Sequence, residues 1–62
     1  MAEKYTWNNL IDNTVYRVYA NSIEESRQKL VVYLYILNGY FIYRDMLDWN
    51  TMYNMGYIYD YA

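Results

Sequence analysis

The stretch SIEESRQKLVVYLYILNGYFIY, residues 22–43, decides the fold, because it supports two incompatible readings. It opens with Ser22-Ile23-Glu24-Glu25, a capping box, in which the Ser22 hydroxyl accepts from the Glu25 amide while the Glu25 carboxylate reaches back to the Ser22 amide. Glu24 and Glu25 then lie in a first helical turn, where the helix dipole favours negative charge, and Arg27 and Lys29 follow. Ile23, Leu30, Leu34 and Leu37 fall on one stripe at helical spacing, with Ser26 and Arg27 filling the gap near its start. Asn38-Gly39 closes this helix, with Gly39 in the left-handed conformation. In the rival reading, residues 30–37 (LVVYLYIL) and 40–43 (YFIY) are two strands, and Asn38-Gly39 is the type I′ turn between them. That hairpin leaves a helix of barely two turns, which is marginal without further packing. The long helix, residues 22–37, is therefore the expectation.

Upstream, residues 14–20 (TVYRVYA) are rich in β-branched and aromatic side chains and read as a strand. Alternation puts Tyr16, Val18 and Ala20 on its core side and Val15, Arg17 and Tyr19 on the other. Residues 4–7 read as a further short strand, joined to it by the turn-like Asn8-Asn9-Leu10-Ile11-Asp12-Asn13. Downstream, residues 40–44 read as a strand. Residues 45–55 (DMLDWNTMYNM) fit either a short helix with Met46, Leu47, Trp49 and Tyr53 partly buried or a loop carrying Trp49. Residues 56–61 (GYIYDY) form a final strand. The expected architecture is a single α+β domain over residues 1–62, one helix packed on a small antiparallel sheet in the order β-(β)-α-β-β.

Composition bounds the function. A domain of 62 residues buries only about 60% of the surface its unfolded chain exposes, so its own core gives little stability. With no cysteine and no histidine, neither disulfides nor a zinc site adds to it. An apolar fraction of 56% exceeds what so small a monomer hides, which predicts a homo-oligomer. The absence of cysteine fits a reducing cytosol. The first seven residues carry no secretory pattern, and the longest apolar run, residues 30–37, is too short to span a bilayer. The expectation is a soluble, cytoplasmic protein with no membrane partner. A net charge of −2 has the wrong sign for holding phosphates by counterion release, so a nucleic-acid partner is disfavoured. Abundant Tyr, Asn, Ile and Met with scarce Gly and no Pro fit AT-rich coding and hint at a viral or mobile-element origin, although few lysines fit it poorly.

The chemistry available is narrow. An enzyme lacking histidine and cysteine must work with carboxylates, Lys, Ser, Thr or Tyr, and these do not gather into a set along the chain. Asp45 and Asp48 are spaced to share a helix face, where a carboxylate pair could hold a hard cation; a solvated helix edge, with Asp45 as the N-cap candidate, is the plainer account. No cofactor is implied. What the chain does hold is eleven tyrosines, rigid rings with polar tips that suit protein interfaces. Tyr57, Tyr59 and Tyr61 alternate with Ile58 and Asp60, so on a strand the three rings share a face. That row serves as core, as a protein contact, or as a stacking platform for single-stranded nucleic acid, the last without an accompanying basic groove. The acidic residues Asp45, Asp48, Asp60, Glu24 and Glu25 make a DNA mimic conceivable, faintly at net −2, against ordinary solubilising charge. Trp7 and Trp49 are either core anchors or interface hot spots. The sequence thus predicts a non-enzymatic module that binds another protein, with Tyr57, Tyr59, Tyr61 and Trp49 as the partner-binding residues.

Overall fold

The computed structural model describes residues 2–39 and 46–60; the strand expected over residues 40–44 lies outside them, as do Asp45 and Tyr61. The elements run β1 (Glu3–Asn9), β2 (Val15–Ala20), α1 (Ile23–Asn38), α2 (Trp49–Asn54) and β3 (Tyr57–Tyr59). The strands form one antiparallel sheet in the order β2-β1-β3, with α1 packed on one face, so the chain is a small α+β domain.

β1 is longer than residues 4–7 because it is the central strand and pairs on both sides, with Trp7 opposite Tyr16 in β2 and Tyr59 in β3. Asn8 and Asn9 therefore belong to the strand, and the turn begins only at Leu10. The Asn9 side-chain oxygen shapes that turn, accepting from the amides of Ile11 at 2.8 Å and Asp12 at 3.2 Å. Asn13 follows at φ 63°, a left-handed conformation that asparagine tolerates better than most residues. In β2 the alternation holds: Tyr16, Val18 and Ala20 turn inward and Val15, Arg17 and Tyr19 face solvent.

α1 is the long helix and not a hairpin. The Ser22 hydroxyl accepts from the Glu25 amide at 3.1 Å, but the Glu25 carboxylate reaches the amide of Asn21, one residue earlier than a regular capping box places it. Leu30, Val31 and Leu34 sit one and four residues apart on one helical face and bury together against Trp7, whereas strand geometry would send neighbours to opposite sides. Leu37 departs from the expected stripe: it is 62% exposed, like every residue of the last turn, 35–38, which is exposed on all sides. Gly39 also differs from expectation. Its φ of 101° is positive but its ψ of 153° is extended, so it leaves the helix in a conformation open to glycine rather than in the left-handed helical one.

The core is Trp7, Leu30, Val31, Leu34, Met46, Met52 and Tyr57. The buried Trp7 indole N–H donates to the Ser26 hydroxyl at 3.0 Å, and that hydroxyl donates to the Ile23 carbonyl at 2.6 Å, so both polar groups are satisfied inside the apolar cluster.

Candidate functional site

Of the two readings of residues 45–55, the described part, residues 46–55, holds a short helix, α2. Asp48, not Asp45, is the N-cap: its carboxylate accepts from the Thr51 amide at 2.7 Å, a bond that holds its pKa below the usual carboxylate value. Asp48 thus caps the helix, and the other member of the expected pair, Asp45, lies outside the described residues. Met46 and Met52 are buried, which clamps the segment to the core, while Leu47 is exposed. On α2, Trp49 and Tyr53 are one helical turn apart and share a face.

That face meets β3. Together with the floor of the sheet it encloses a hollow of about 300 Å³, lined by Trp7, Trp49, Asn50, Tyr53, Tyr57, Ile58 and Tyr59. Trp7 is the hub: its ring centroid lies 5.3 Å from Trp49 and 5.4 Å from Tyr59, the latter edge-on. Ring pairs at such separations add stabilisation beyond the area they bury and fix the hollow's shape. Trp49 is 40% exposed and Tyr53 66% exposed, so these two rings form its accessible lip.

Trp49 is held from behind by α1. Its indole N–H donates to Glu24 Oε2 at 3.0 Å, and Arg27 Nε donates to the same oxygen at 3.2 Å while a second Arg27 nitrogen pairs with Glu24 Oε1. The guanidinium also sits over the Trp49 ring, 5.7 Å from its centroid. The bonds from Arg27, and after them the one from Trp49, hold the Glu24 carboxyl below its ordinary pKa. The indole is thereby fixed in one orientation without closing the hollow.

Of the residues singled out from sequence, Trp49, Tyr57 and Tyr59 converge on this hollow, and Tyr61 lies outside the described residues. Tyr57 is only 6% exposed and its ring belongs to the core, so it shapes the floor and offers almost no surface. Tyr59 is half-buried against the same core. Tyr53 and Trp7 complete the site and were not among the expected contact residues. The four-residue spacing of Trp49 and Tyr53 carried the signal for Tyr53; Trp7 stood out only as a tryptophan, and nothing local places it beside Trp49. Among the described residues no cluster of three or more His, Cys, Asp or Glu side chains could hold a metal ion. No helix among them is long and apolar enough to cross a membrane. Compared with protein-family models, curated proteins and solved structures, the chain matches none.

Proposed function

We propose that this chain is a non-enzymatic protein-binding module that takes an apolar or aromatic side chain of its partner into the hollow between α2 and β3. The observation that carries the reading is the lip itself. Trp49 and Tyr53 are exposed, yet Trp49 is preoriented by Glu24, Arg27 and Trp7. Rigid Trp and Tyr rings beside a desolvated pocket are what binding hot spots are made of. An inhibitor or adaptor of viral or mobile-element origin, acting on a host protein in the cytoplasm, is the role that fits this size and composition.

The test is affinity capture from host lysate with the wild-type chain and with a Trp49→Ala/Tyr53→Ala variant, read by mass spectrometry. A protein held by the first and lost by the second supports the reading; identical captures overturn it. A salt series with a labelled single-stranded oligonucleotide separates the nucleic-acid alternative, whose affinity must fall steeply as salt rises.

The chain also offers a surface to a second copy of itself. Residues 30–38 of α1 carry no charge, and Val32, Ile36 and Leu37 are each more than half exposed there. Two such faces meet without charge repulsion, and an antiparallel helix pair levelled at Leu34 sets Val32 of one copy beside Ile36 of the other. A dimer mass in sedimentation at micromolar concentration, reverting to monomer in Ile36→Lys, is the expected result. A wild-type monomer at every concentration would count against it.

A further inference from the structure

Among the described residues no strand pairs with the outer edge of β2, and the hydrogen bonds fix which of its groups face outward. The Asn9 amide donates to the Thr14 carbonyl at 2.8 Å, so in this register Trp7–Tyr16, Tyr5–Val18 and Glu3–Ala20 are the pairs whose peptide groups meet across the ladder. Val15, Arg17 and Tyr19 therefore turn their N–H and C=O groups away from β1. Two observations agree. The alternate peptide groups of β1 serve β3, with Leu10 N–H donating to the Gly56 carbonyl at 2.8 Å and the Thr6 carbonyl accepting from Asp60 N–H at 2.9 Å. Tyr19, on the outward set, has its carbonyl taken by Lys29 Nζ at 2.9 Å. Among the described residues, the outward backbone groups of Val15 and Arg17 have no partner.

A groove of about 260 Å³ lies beside them, lined by Val15, Tyr16, Arg17 and Val18 with Leu30 and Tyr33 of α1. Consecutive strand residues point to opposite faces, so a groove that four in a row all touch must run along the edge of the strand. Its helix-side wall is Tyr33, packed edge-on against Tyr16 at 6.2 Å. A strand laid into this groove would send alternate side chains two ways. One set lands on Tyr16 and Tyr33, over the buried Leu30. The other lies on the open sheet face beside Arg17, which is exposed and has no ion-pair partner among the described residues, with Lys4 on the same face one strand away.

We propose that the outer edge of β2 binds an extended segment of a partner protein by strand addition, and that this segment alternates apolar and acidic residues. Main-chain bonds to Val15 and Arg17 supply affinity, the apolar side chains fill the groove against α1, and an acidic side chain pairs with Arg17. A second copy fits this edge poorly: the antiparallel self-pairing that overlaps Val15 with Tyr19 places Arg17 directly opposite Arg17, and facing like charges repel. The site is at the far side of the sheet from the aromatic hollow, so either proposal stands or falls without the other.

Titrating the isotope-labelled full chain with the synthetic peptide acetyl-Val-Glu-Val-Glu-Val-amide tests it. Amide shifts should move at Val15, Arg17 and Tyr19. Affinity should drop about fivefold or more when lysine replaces glutamate in the peptide, and likewise in Arg17→Glu, since an attraction becomes a repulsion. Methylating the peptide's backbone nitrogens should abolish binding, and Trp49→Ala should leave it unchanged. No shift at millimolar peptide, shifts confined to α2 and β3, or equal binding of the lysine peptide would overturn the proposal. So would movement of the same amides with protein concentration alone alongside a doubled mass, because a second copy would then hold the edge.

Discussion

β2 and β3 are the two outer strands of one sheet, and both carry tyrosines in alternation, yet they use them in opposite ways. In β3 both rings, Tyr57 and Tyr59, turn toward the core, and α2 closes over them. In β2 one ring, Tyr16, turns inward while Tyr19 stands 63% exposed on the open face. Alternation settles which rings share a face; it does not settle which face is inside. That is decided by the other strand in the pair, here by Trp7, which draws Tyr59 and Tyr16 to its own side.

The comparison breaks most readily at the matched tyrosines. Tyr57→Ala is expected to cost about 3 kcal/mol or more in urea unfolding, because it empties a core site, and a loss of that size takes most of a small domain's stability. Tyr19→Ala should change stability by less than about 0.5 kcal/mol, as exposed substitutions usually do. Equal costs at the two positions would mean that the strands do not differ as described.

A smaller effect tests the entry to β3. Gly56 sits at φ +93°, and a Cβ there would lie 3.0 Å from Ile11 Cγ1 and 3.2 Å from Asn9 Oδ1. Gly56→Ala should therefore cost about 1–3 kcal/mol from backbone strain alone, measured by thermal unfolding. An unchanged midpoint would show that β3 is entered differently.

The caps come next. Ser22→Ala and Asp48→Ala should each cost about 1 kcal/mol by removing a side-chain acceptor from a helix N-terminus. The first should weaken α1, which supports β2, and the second α2, which covers β3, so amide exchange in the two variants should loosen opposite sides of the sheet.

The smallest effect is that of pH. Glu24, Glu25 and Asp48 all have folded pKa values below their ordinary ones, held there respectively by Arg27, by Lys29 and by the Thr51 amide. A carboxylate depressed in the folded state adds stability that is complete above its unfolded pKa and is lost as pH falls through the folded value. The urea midpoint should therefore hold steady above the ordinary glutamate value of 4.5 and decline below it. A midpoint that rises on acidification would contradict these three contacts.

What was legible in the sequence was mostly local. The Ser22 cap, the alternation along β2 and the long helix follow from side chains within a few residues of one another, where hydrogen-bond reach and helical or strand periodicity apply directly. The central place of β1 was not legible, because it depends on Asn8 and Asn9 pairing with β3 from the other end of the chain. Met46 was expected to be partly buried as part of a short helix; it is fully buried ahead of that helix, fixed by packing against elements that precede and follow it. The candidate site was half visible for the same reason. Tyr59 stood out in an alternating row of tyrosines and Trp49 as one of two tryptophans, but the hollow needs Trp7 as its floor, and that contact exists only once the sheet has closed.

Trp7 and Trp49 are the only two tryptophans, and their rings lie 5.3 Å apart with planes inclined by 31°. Two indoles so close and so skewed couple electronically, and the coupling imparts handedness to their near-ultraviolet absorption. One belongs to the sheet and the other to α2, so the part of the circular dichroism that arises from this pair exists only while that helix is docked. Its loss with the far-ultraviolet helical signal intact would register α2 lifting from the sheet while α1 stays in place. The molecule thus carries its own optical gauge of whether the hollow is assembled, with no label attached.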